Sequence, residues 1–156
     1  MQSSEAAERY SLAFSAIQTD AGFACEGLSQ VSTLSGFVYT HSYHFTDENA
    51  PSLFHLSYVS LLGAAHAFEI QYLLDTEQTM LERGAEQISL SSAMIDYWTT
   101  FSKTGNPNPE SAYIPQWPKF DTGLMLNLKA DIESKSSVDF STTHSCAYWS
   151  NPPNNL

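Results

Sequence analysis

Residues 62–74 read Leu62-Gly-Ala-Ala-His-Ala-Phe-Glu-Ile-Gln-Tyr-Leu-Leu74. Four small residues, Gly63, Ala64, Ala65 and Ala67, surround one histidine, His66. Small neighbours let a backbone approach closely and leave room for a substrate beside the imidazole. The apolar spacing that follows predicts a short helix from about His66 to Leu74. On such a helix His66 and Glu69 lie on neighbouring turns, a geometry also common on plain helix surfaces. A lone histidine is more often a satisfied structural group, so pattern alone makes His66 a candidate and no more.

Upstream, Phe37-Val-Tyr-Thr-His-Ser-Tyr-His-Phe45 alternates. This predicts a strand with Phe37, Tyr39, His41, Tyr43 and Phe45 on one face. Before it, Ala6, Tyr10, Ala13, Phe14 and Ile17 recur at helical spacing, with Ser3 or Ser4 able to cap the start. Thr19-Asp20 interrupts, and Asp20 is expected to cap a second helix carrying Phe23, Leu28, Val31 and Leu34, ended by Gly36. A carboxylate at a helix start accepts backbone N–H bonds, which is the role expected of Asp20. Residues 46–52 read as loop, 53–66 show no single period, and 75–86 are polar and acidic.

Downstream, the strongest helix spans 90–103, with Leu90, Met94, Ile95, Trp98 and Phe101 on one stripe. Ser89 is placed to cap it and Gly105 to end it, and Asn106-Pro107-Asn108-Pro109 forbids continuation. Residues 113–130 suggest short extended pieces, among them a Met-Leu-Asn-Leu alternation. A last helix is expected around 138–149. One core-like strand does not make a sheet. Either the short pieces pair with it, or the other strands lie outside this chain.

The chain has 156 residues, enough for one domain with a real core. Six Lys+Arg against 17 Asp+Glu give a net charge of −11. That balance argues against nucleic acid, which needs clustered cations, and against an anionic membrane surface. A 13% aromatic share excludes wholesale disorder. Charged residues reach only 15%, against about 25% in ordinary soluble domains, which suggests that part of the surface is covered by something else. The start, Met1-Gln-Ser-Ser-Glu, has neither a basic nor an apolar run, so no signal peptide is expected. The longest apolar stretch is broken by His66 and too short to span a bilayer. Cys25 and Cys146 are compatible with one disulfide or two buried thiols.

Few other chemistries fit. His41 and His44 stand three apart on the expected strand, hence on opposite faces, and no Cys/His cluster supplies further ligands. There is no Gly-x-Ser-x-Gly elbow and no glycine-rich phosphate loop.

The segment 62–74 resembles the histidine motif of type B carboxylesterases, the cholinesterase- and lipase-like branch of the α/β-hydrolases. Three further stretches match in order. Thr19-Asp20-Ala-Gly-Phe-Ala-Cys25 looks like the family's Asp-x-x-x-x-Cys entry to a helix. Asp96-Tyr-Trp98-Thr-Thr-Phe101-Ser-Lys103-Thr-Gly105-Asn-Pro107-Asn is close to its helix ending in Lys-Thr-Gly-x-Pro-Asn. Gln116-Trp117-Pro118-Lys-Phe120-Asp121, with the later Cys146-Ala-Tyr148-Trp149, resembles its Trp-Pro and terminal Cys-x-Phe-Trp signatures. Together these run from about residue 12 to the C-terminus.

The resemblance implies that residues 1–156 are the C-terminal segment of one α/β fold, helix-rich, with an incomplete sheet. It implies His66 as the triad histidine, no metal and no cofactor. The substrate would be a small-molecule or lipid ester acted on by the full-length protein, with the nucleophile and acid in the missing N-terminal part. It further implies a disulfide between Cys25 and Cys146, and with it a secreted parent protein. His41, His44, His55 and His144 carry no catalytic role on this reading. The sequence departs from the family at Ala67, where Gly is usual, at Phe68, and at Ser57-Tyr-Val-Ser60, where cholinesterases carry a Trp. These departures favour a general esterase or lipase-like member. The rival readings are a non-catalytic cholinesterase-like adhesion module and an unrelated small helical domain.

Overall fold

A computed structural model describes residues 2–51, 63–74, 84–110 and 113–151. The elements in chain order are α1 (Gln2–Thr19), a π-helical turn (Asp20–Ala24), α2 (Cys25–Ser35), β1 (Tyr43–Phe45), α3 (Ile70–Leu73), α4 (Ala85–Thr104), a 3-10 turn (Phe120–Thr122), β2 (Leu124–Leu128), β3 (Glu133–Ser136), α5 (Ser137–Thr143) and α6 (Cys146–Trp149). The class is α/β, rich in helix, and among the described residues there is a three-stranded sheet in the order β1-β2-β3. The chain divides into two compact units. One comprises Met1–Ser42, Lys119–Leu124 and Lys135–Leu156, the other Tyr43–Pro118 and Met125–Ser134.

In the first unit the helices do not break at Thr19-Asp20 as the sequence suggested. The π-helical turn carries α1 into α2, and Thr19 and Ala24 both stay in the right-handed helical region. Asp20 is therefore not a helix cap; its carboxylate faces His144, with Oδ1 2.7 Å from Nδ1. Cys25, buried at the start of α2, is bonded to Cys146, with the two Cα atoms 5.1 Å apart. The expected single last helix is two. α5 starts under Ser136, whose hydroxyl accepts the backbone N–H groups of Val138 and Asp139. It stops at His144-Ser145, where Ser145 takes a left-handed φ of 52°, and α6 resumes at Cys146.

In the second unit β1 runs parallel to β2, with Tyr43 opposite Leu126, His44 opposite Asn127 and Phe45 opposite Leu128. The Met-Leu-Asn-Leu alternation is thus the partner of the core strand, inside this chain. The strand is shorter than the expected 37–45. Residues 37–42 have no ladder partner among the described residues, and Phe37 and Tyr39 stay exposed. Alternation marks a chain able to form a strand, but a ladder needs a neighbour.

α4 is the spine of this unit. It begins earlier than expected, at Gly84 rather than Ser89, because the side chain of Gln87 turns back to accept the N–H of Gly84 at 3.1 Å. Ser89 lies inside the helix and donates to the carbonyl of Ala85. The helix ends at Gly105, with φ 75°, as its sequence implies. The buried stripe is Gln87, Leu90, Met94 and Tyr97, whereas Ile95 and Phe101 face outward. The tertiary environment chose one side of an almost evenly apolar helix. Beyond it, Asn108 clasps Trp117 through two bonds, Nδ2 to the carbonyl at 3.0 Å and Oδ1 from the N–H at 2.7 Å. This fixes the Asn-Pro loop against Trp117, which packs with Tyr97 and Trp98.

Candidate active site

His66 does not lie on a helix. Residues 66–69 form successive tight turns that lead into α3. The turns are closed by backbone bonds from Ala65 to the carbonyl of Gly63, Phe68 to Ala65, Ile70 to Ala67 and Tyr72 to Glu69, at 2.9 to 3.2 Å. Two residues take the left-handed region, Gly63 with φ 56° and Ala67 with φ 71°. For glycine this is free; for Ala67 it costs about 1–2 kcal/mol. Around this step His66 is exposed and Phe68 is buried, 1% exposed.

Glu69 is half-buried in the same segment. Burial, and after it the negative charge of Glu69, pushes the Tyr43 phenol above its ordinary pKa. The ring of Tyr43 meets Trp98 and Trp117 edge-on, with centroids 5.2 and 5.9 Å apart.

The group that sequence reasoning missed is Asp47, two residues beyond β1 and only 4% exposed. Its Oδ2 accepts the hydroxyl of Tyr72 at 2.6 Å and the amide of Gln87 at 3.3 Å. Its Oδ1 accepts the N–H of Asn49 at 3.0 Å. The carbonyl of Tyr72 accepts the hydroxyl of Ser91 at 2.6 Å, and Gln71 donates to the carbonyl of Pro51. Nothing in the hydrophobic pattern signals this, because an Asp after a strand ordinarily reads as solvated loop.

The remaining candidates are dispersed. His41 and His44 are half-buried at and just before β1. His55 lies outside the described residues. Among the described residues no group of three His, Cys, Asp or Glu side chains is placed to hold a metal ion. No described helix is long and apolar enough to cross a membrane.

The model of the carboxylesterase family matches residues 1–149. The chain belongs to the carboxylesterase family. Bile salt-activated lipase of Rattus norvegicus is 32% identical over 114 residues, which are 70% of this chain and 18% of the lipase. The lipase of the same name from Bos taurus is 32% identical over 101 residues, 61% of this chain and 16% of that protein. The crystal structure of Aspergillus niger EstA superposes with a TM-score of 0.64 at 22% identity, covering 85% of this chain and 26% of that one. That likeness shows the α/β-hydrolase fold. The carboxylesterase chain thus spans under a fifth of the length of these lipases and about a quarter of the solved structure.

Proposed function

We propose that this carboxylesterase chain supplies the triad histidine, His66, of a serine carboxylic-ester hydrolase. Its nucleophile, acid and oxyanion hole belong to a part of the fold outside these 156 residues. The observation that carries the reading is the exposed imidazole of His66, at the start of the turns that the buried Phe68 and Tyr72 anchor. In that role His66 takes the proton of the attacking serine and returns it to the leaving alcohol, while an acid from elsewhere orients its other ring nitrogen. No Gly-x-Ser-x-Gly elbow occurs in the sequence, so the chain alone has no activated serine to serve. Small-molecule or lipid esters are the substrate class, in keeping with the lipase names of its relatives. The Cys25–Cys146 disulfide supports an oxidising compartment, hence a secreted enzyme.

The test is an assay of the 156 residues against a short-chain nitrophenyl ester, alone and joined to an upstream elbow-bearing segment. The chain alone is expected to show no turnover and the joined protein to show it. Turnover by the isolated chain, above buffer and His66→Ala controls, would overturn the reading. An upstream elbow whose serine is replaced would instead make the protein a cholinesterase-like binding module.

A further inference from the structure

We infer that Asp47 is a positioning residue for His66, acting through Tyr72 and the tight turns between them; the inference rests on the catalytic reading of His66. Asp47 is a buried carboxylate, and the three donors seen on it are all neutral: Tyr72, Gln87 and the N–H of Asn49. A buried carboxyl group is stabilised by the donors that meet its lone pairs, and among the described residues these three do so. The three donors come from the loop after β1, from α3 and from the first turn of α4. One carboxylate therefore ties together three segments that are far apart in sequence.

From Tyr72 the connection to His66 is short and continuous. The N–H of Tyr72 bonds to Glu69, that of Ile70 to Ala67 and that of Phe68 to Ala65. Ala67 stands in this chain of turns with φ 71°, a conformation alanine adopts only when its surroundings hold it there. Phe68 holds one end by burial. Tyr72 holds the other through Asp47 and through Ser91. Apolar burial alone fixes a ring loosely about its own axis, whereas a hydroxyl bonded to a fixed carboxylate sets both direction and distance. A catalytic imidazole has to be held to within a fraction of an ångström, so this second anchor is where positional precision enters.

Two substitutions probe this. Tyr72→Phe deletes one donor and keeps the ring. Asp47→Asn keeps the shape but sets an amide N–H against a bonded N–H. The expected result in this chain is hydrogen exchange at the amides of Phe68 and Ile70 faster by roughly tenfold. The amide of Gly105, bonded to Phe101 at the far end of α4, should be unchanged. In the elbow-bearing protein, both substitutions should lower kcat by roughly 10–100-fold with KM nearly constant. Unchanged exchange at Phe68 and Ile70 overturns the inference. So does an equal rise at Gly105 or a failure of both variants to fold, because the carboxylate then holds the whole unit and not the turn. A normal kcat in Asp47→Asn beside an inactive His66→Ala overturns the inference alone. A normal kcat in His66→Ala overturns the catalytic reading beneath it.

Discussion

Asp20 and His144 stand 124 residues apart in sequence, yet Oδ1 of Asp20 lies 2.7 Å from Nδ1 of His144. Each flanks one half of the Cys25–Cys146 bond: Asp20 opens the π-helical turn that leads to Cys25, and His144 sits in the turn before Cys146. The imidazole also leans on Phe140, with ring centroids 4.4 Å apart. Their side chains keep only 14% and 24% of their exposure for His144 and Asp20. The pair is therefore a second, non-covalent fastening at the site of the disulfide. Asp20→Asn and His144→Ala are each expected to lower unfolding free energy by about 1 kcal/mol. The double variant should lose less than the sum, measured by urea unfolding at low micromolar concentration.

Removing the covalent fastening has a larger effect. The disulfide closes a loop with a sequence separation of 121. Chain-entropy reasoning puts its contribution near 5 kcal/mol. The paired substitution Cys25→Ser with Cys146→Ser should shift the urea midpoint sharply downward, while the native chain should show no free thiol without a reductant.

Ala67 offers a test of opposite sign. Its φ of 71° is left-handed and costs alanine what it does not cost glycine. Ala67→Gly is expected to stabilise the chain by about 1 kcal/mol or less, since glycine returns part of the gain as unfolded-state entropy. A loss of stability on that change would mean that the alanine methyl makes a contact worth more than the strain.

Tyr97 gives the chain an alkaline limit. Burial pushes its phenol up to about 12, and its hydroxyl donates to the carbonyl of Pro115. An unfolded tyrosine titrates near 10. The folded state thus favours the neutral phenol, and this contribution is fully present below pH 10. It is lost as pH rises from about 10 toward 12. The urea midpoint should fall over that window, and Tyr97→Phe should flatten the fall.

Much of this was legible in the sequence, and the boundary of legibility is physical. The helix expected over 90–103 and its Gly105 stop are legible because periodicity is local, whereas the true start at Ala85, with Gly84 and not Ser89 as the cap, rests on the side chain of Gln87. The Cys25–Cys146 pair followed from the resemblance. The alternation predicts a strand over 37–45, longer than the observed one, because residues 37–42 alternate but find no ladder neighbour among the described residues. At His66 the surrounding alanines, good helix formers, predict helix, and the left-handed step at Ala67 leaves no mark in the local pattern. The local pattern places Asp20 at a helix start and Asp47 in a loop. His144 lies 124 residues from Asp20, and Tyr72 and Gln87 lie 25 and 40 residues from Asp47, beyond the reach of a local pattern.

On the proposed function, His66 moves the proton in ester hydrolysis. The most direct measurement is kcat on a nitrophenyl ester for His66→Ala in the elbow-bearing protein, beside His41→Ala, His44→Ala, His55→Ala and His144→Ala. For His66→Ala, kcat is expected to fall by several orders of magnitude with folding intact, and the other four variants should retain most activity. A His66→Ala enzyme with near-normal kcat would contradict it.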